Sequence, residues 1–84
     1  MNPRPVALDA EGHALSRYIE RWHPDMHPRD ARLRLEGYFL SAAFVEREDG
    51  NTQSIWKTAE GALLVVDDHG VVRTVLPRDT AKGR

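Results

Sequence analysis

What most limits the fold open to this chain is a change of hydrophobic period at Ala43. Before it, apolar residues recur three and four positions apart: Leu15, Tyr18, Ile19 and Trp22 make one stripe, and Ala31, Leu35, Tyr38, Phe39 and Ala42 make a second. After it, they gather into four short segments rich in β-branched or aromatic residues, "FVERE", "TQSIWKT", "ALLVVDD" and "VVRTVLP". The breaks between these segments are "DGN", "AEG" and "DHG", each carrying the Gly that a tight turn favours. Helices first and strands afterwards define an α+β chain rather than an alternating α/β one. The expected architecture is two N-terminal helices packed on a three- to four-stranded antiparallel meander sheet. "ALLVVDD" is apolar on both faces and is expected at its centre, with the helices covering one side and either the chain or a partner covering the other.

The length of 84 residues allows one small hydrophobic core and hence one domain. Within it, residues 1–8 read as an arm or edge strand, 9–43 as the helix pair, 44–77 as the sheet and 78–84 as a frayed basic tail. Trp22, Leu35, Tyr38 or Phe39, Leu64 and Val66 are expected to share the core.

The helix ends are marked by polar and proline residues. Asp9 is a good N-cap, although Gly12 weakens the first turn. Pro24 stops the first helix near Trp22, and Pro28 suits the first turn of the second. The stretch "RWHPDMHPRD" is therefore a helix-to-helix joint. Its alternating His23, Asp25 and His27 are chemically fit to bind zinc, but a closed site needs a fourth ligand, which His13 or His69 would have to supply. Histidines at helix ends and an aspartate in a turn have ordinary capping roles, so the joint is read as holding no metal.

Composition excludes several function classes. The chain has no cysteine, which removes disulfides, thiolate metal sites and a cysteine nucleophile together and suits a reducing compartment. No apolar run approaches a membrane span and the first residues lack a secretory pattern, so a soluble cytoplasmic protein is expected, without a membrane partner. The net charge is -1, which is not the footprint of a general polyanion binder. Arg nevertheless outnumbers Lys ten to two, and Arg is suited to bidentate contact with phosphate or carboxylate.

Two places offer chemistry. On the polar face of the first helix stand His13, Arg17, Glu20 and Arg21, and the four-residue spacing of His13 and Arg17 makes them neighbours. In the last strand, Arg73 interrupts an otherwise apolar face, with Thr74 beside it. RNA cleavage needs a base for the 2′-hydroxyl proton, a cation for the phosphorane and an acid for the leaving oxygen, and these residue types supply all three. The candidate catalytic set is His13, Arg17, Arg21, Arg73 and Thr74, with Trp56 and Lys57 as candidate nucleic-acid contacts. Each has a plainer alternative: a solvated helix face, an edge-strand charge that blocks pairing, and a Trp that closes the core.

The strings "HALSRYIERWHP", "DARLRLEGYFLSAAFV" and "IWKTAEGALLVVDDHGVVRTVLP" resemble a group of small bacterial and phage proteins. These share a His-Ala-x-x-Arg-Tyr/Phe-x-x-Arg helix, a second helix and a closing strand with an x-x-Thr-Val pattern. They are similar in turn to the barnase/RelE-like ribonuclease-toxin fold, with one or two helices on one face of a four-stranded antiparallel sheet. The resemblance spans residues 13–77. It implies a metal-independent ribonuclease toxin without cofactors, held in check by an antitoxin, with His13, Arg17, Arg21 and Thr74 in its site. The chain departs from such toxins in being neutral rather than basic, which lowers affinity for RNA. The competing expectation is a non-enzymatic phage or mobile-element protein that binds and inhibits a host defence protein through "EREDG", "DD" and a sheet face or edge. The expected partners are RNA or a protein (antitoxin or host target), with a homodimer as a further option.

Overall fold

A computed structural model describes residues 3–47 and 53–77. In chain order these form β1 (Ala7–Leu8), α1 (His13–Trp22), α2 (Pro28–Gly37), a 3₁₀ turn (Phe39–Ser41), β2 (Ala43–Arg47), β3 (Ser54–Lys57), β4 (Leu63–Val66) and β5 (Val71–Val75). The α+β class expected from the change of period is the one observed. The expected basic tail 78–84 lies outside the described residues.

The sheet has five strands in the order β1-β5-β4-β3-β2. β2 to β5 are the expected antiparallel meander, and β1 adds a parallel strand beside β5, pairing Ala7 with Val71 and Leu8 with Val72. The sheet is therefore mixed, and of the two readings of residues 1–8, arm or edge strand, Ala7 and Leu8 form the edge strand. A two-residue strand carries no periodic signal; it is held by backbone bonds from Val6 N–H to the Gly70 carbonyl (2.8 Å) and from Asp9 N–H to the Val72 carbonyl (3.1 Å). Gly70 makes this possible, since its φ is 83° and a Cβ there would lie 2.9 Å from the Arg4 carbonyl oxygen.

β4 is central, and all four of its residues are buried. Leu64 and Val66 join Trp56, Val72 and Val75 in the core beneath the helices, which contribute Ala14, Tyr18, Ala31 and Leu35. By strand alternation Ile55, Leu63 and Val65 face the other way, and they are buried too. Of the expected core residues Leu35, Phe39, Leu64 and Val66 are buried, and Trp22 packs against the cluster while partly exposed.

Two boundaries differ from expectation. α1 starts at His13 rather than just after Asp9, because Gly12 takes a left-handed φ of 83°. Asp9 still caps it, its carboxylate accepting the backbone N–H of His13 (3.1 Å) and Ala14 (2.9 Å). α2 ends at Gly37, and the tighter 3₁₀ turn that follows keeps Phe39 and Ala42, three residues apart, both buried. Finally, the arm is fastened by Arg4, whose guanidinium donates to the carbonyls of Phe39 (3.3 Å), Leu40 (3.1 Å) and Ala42 (2.8 Å) and lies 5.2 Å from the centre of the Trp56 ring. Among the described residues no helix is long and apolar enough to cross a membrane.

Candidate functional site

The two ends of α1 each bring a histidine against a glutamate. At the N-terminal end, Asp9 leaves β1 and is fixed by its backbone bond to β5, while Glu11 and Gly12 turn the chain into the helix. His13 then emerges with its side chain 72% exposed, its Nδ1 3.9 Å from Asp9 Oδ2. Arg73 arrives from β5 and places Nη2 3.5 Å from Glu11 Oε1. Its reach follows from a register shift: Val65 pairs with Thr74 and Val66 with Val72, so Arg73 is the extra residue of a bulge. Bulges re-aim side chains, and this one frees Arg73 from the alternation that would otherwise fix its face. A carboxylate, an imidazole and a guanidinium thus share one exposed corner.

The donor atoms of Asp9, Glu11 and His13 lie within 4.8 Å of one another. Asp9 is buried and already accepts two helix N–H groups, and Arg73 already supplies Glu11 with a positive charge. The electrostatics of the corner are therefore balanced by the protein itself. Beside it, a cleft of about 210 Å³ is lined by Leu8, Asp9, Ala10, Gly12, Leu15 and Arg32.

At the C-terminal end of α1 the corresponding pair is enclosed. Glu60, from the turn between β3 and β4, accepts a hydrogen bond from the Tyr18 hydroxyl on Oε1, and its Oε2 lies 3.0 Å from His23 Nε2. The His23 ring also meets Tyr18 edge-on, with centroids 5.1 Å apart. Burial first, and the bond to Glu60 second, push the Tyr18 phenol far above its ordinary value, so it remains a proton donor throughout the physiological range. An open cleft of about 390 Å³ beside this cluster is lined by Trp22, His23, Pro24, Asp25 and Met26.

The residues singled out by sequence are distributed as follows. His13 and Arg73 are brought to one corner, each beside an acidic neighbour. Arg17 lies one turn along the helix and pairs with Glu20 at 3.1 Å. Arg21 donates from Nη1 to the Val75 carbonyl at 2.7 Å, tying α1 to β5. Thr74 pairs with Val65, on the sheet face away from the helices. Trp56 is a wall of the core, 6% exposed, donating Nε1–H to Ser54 Oγ at 3.0 Å with Phe44 edge-on; Lys57 follows it on the opposite face. The two therefore do not form one nucleic-acid surface. In the joint, His27 caps α2 by accepting the Arg29 N–H (3.1 Å), while His23 turns to Glu60 and Asp25 is exposed.

Sequence reading missed Glu11 and Glu60. Glu11 stands two residues before His13 with a Gly between them, and the left-handed turn at Gly12 brings the two together. Glu60 is 42 residues from Tyr18 and 37 from His23, and no local pattern announces that distance. These features define a small α+β domain with a helix pair on a mixed five-stranded sheet and an acid-imidazole-guanidinium corner. Compared with protein-family models, curated proteins and solved structures, the chain finds no match.

Proposed function

We propose that the protein is a small metal-independent ribonuclease, of the toxin type its sequence resembles, acting from the Glu11, His13 and Arg73 corner. The observation that carries this reading is the meeting of those three side chains, from a loop, a helix start and a strand bulge, on one accessible surface. The roles follow from protonation chemistry. Glu11, an exposed carboxylate, takes the proton from the 2′-hydroxyl as the 2′-oxygen bonds to phosphorus. His13, as imidazolium, gives its proton to the 5′-oxygen as the bond from phosphorus to that oxygen breaks. Arg73 sits against the phosphoryl oxygens and stabilises the charge of the phosphorane. The products are a 2′,3′-cyclic phosphate and a 5′-hydroxyl end. Arg17 lies one turn along α1, where it draws the RNA backbone toward the corner.

The test is to express the parent and His13→Ala in a host cell without any antitoxin, follow growth and RNA integrity, and confirm by circular dichroism that both fold. The expected result is growth arrest and RNA cleavage with the parent alone. A parent that neither slows growth nor cleaves RNA overturns the reading.

A non-enzymatic binding protein is the second reading, favoured by three exposed apolar residues in or just before the edge strand β2: Leu40 is 87% exposed, Phe44 48% and Val45 44%. Exposed apolar residues at a sheet edge suit contact with a host protein or an antitoxin. Retention of one host protein by the parent, lost on Leu40→Asp or Phe44→Asp, is its expected signature.

A further inference from the structure

The corner described above handles a phosphate, but a ribonuclease must also hold the nucleotide whose 2′-hydroxyl attacks. The geometry points to the cleft lined by Leu8, Asp9, Ala10, Gly12, Leu15 and Arg32 as a seat for one unstacked nucleobase of single-stranded RNA. This inference rests on the ribonuclease reading and names the class of substrate that reading leaves open.

Three features support it. The cleft shares Asp9 with the acidic cluster and Gly12 with the turn that joins Glu11 to His13, so a base held there places its own ribose and 3′-phosphate beside those two side chains. Its chemistry is that of a base pocket: Leu8 and Leu15 provide apolar walls, and both pack on the hydrophobic core, which keeps them in place. Its charged donor is Arg32, whose side chain is exposed and whose Nε lies 3.3 Å from Glu36 Oε2. The Asp9 carboxylate is buried and taken up by two helix N–H groups, which leaves Arg32 to meet the acceptors of a base edge. Base and phosphate are then held by different groups, Arg32 for the first and Arg73 for the second, on a helix and a strand that pack on the same core. A duplex keeps its bases stacked inside, so it cannot fill the cleft.

The experiment uses the full chain and five probes: the four nucleoside 3′-monophosphates and inorganic phosphate. Binding is read by NMR at the Leu8 and Leu15 methyl groups and the Gly12 amide, and by titration calorimetry. At least one nucleotide is expected to bind more tightly than phosphate and to shift those signals. Arg32→Ala, at an exposed helical position, and Ala10→Phe, which fills the cleft, should each weaken nucleotide binding about ten- to a hundredfold while leaving phosphate binding unchanged. Nucleotides that bind no better than phosphate, or that shift signals elsewhere, overturn the inference. Cleavage assays on single-stranded and duplex RNA separate the two claims. An active parent unaffected by both variants removes the base seat and leaves the ribonuclease, whereas cleft binding without any cleavage removes the catalytic reading and leaves a nucleotide site.

Discussion

Helix α1 carries a histidine near each end, and the two have opposite surroundings. His23 and its partner Glu60 have side chains 25% and 15% exposed, and Tyr18 closes the group from beneath. His13 and its neighbour Glu11 are 72% and 61% exposed, with only Asp9 buried below them. The same two residue types thus make a clamp at one end and an accessible acid-base pair at the other. Exposure decides the difference. An enclosed network in which hydroxyl, carboxylate and ring nitrogen satisfy one another fastens α1 to the turn between β3 and β4 and leaves little surface for a substrate. An open one contributes little to stability and is available for chemistry.

The sharpest way to break this contrast is to remove each histidine in turn. His13→Ala should reduce RNA cleavage by about 10²- to 10⁴-fold, the usual contribution of a positioned acid or base, while His23→Ala should keep the rate per folded molecule. Single-turnover cleavage normalised to folded protein measures both. Equal losses for the two variants would erase the distinction.

Both ends rest on one core, and its removal should affect them together. Leu64 is fully buried in the central strand, so Leu64→Ala should destabilise by about 2–5 kcal/mol, enough to unfold so small a domain near physiological temperature. Thermal melting followed by circular dichroism gives the value, and a melt within a degree or two of the parent would place the load elsewhere.

A smaller effect separates clamp from corner in stability. Glu60→Ala leaves the buried Tyr18 hydroxyl and the His23 ring without their shared carboxylate, at a cost of about 1–3 kcal/mol. Glu11→Ala, at an exposed position, should change stability by no more than about 0.5 kcal/mol. Urea denaturation of the two variants side by side tests the ratio, and comparable losses would show that the exposed corner is also a structural joint.

The smallest effect is a dependence on acid at the turn that leads into β5 and Arg73. Partial burial raises the Asp67 carboxyl, but the backbone N–H groups of Val71 and His69 together lower it further, so it titrates below its ordinary value. A group depressed by folding contributes stability above its unfolded pKa and loses it as pH falls through the folded one. The melting difference between the parent and Asp67→Asn should therefore be largest near neutrality and shrink below about pH 4. A constant difference across that range would assign the effect of Asp67 to shape rather than charge.

Local pattern carried the elements far and their meeting points much less. The sequence by itself determined both helices, the four meander strands and the central place of "ALLVVDD", because period and turn glycines are properties of neighbouring residues. It also singled out His13 and Arg73, since a histidine four residues from an arginine on a polar helix face and a cation inside an apolar strand are local patterns. The parallel pairing of β1 with β5, the enclosure of Trp56, the Glu60 clamp and the arrival of Arg73 at Glu11 were decided only by tertiary structure. The physical reason is the same for each. Their partners lie far apart in the chain, 35 residues for Arg4 and Phe39 and 62 for Arg73 and Glu11, and such contacts form only when the core fixes where the sheet and helices lie.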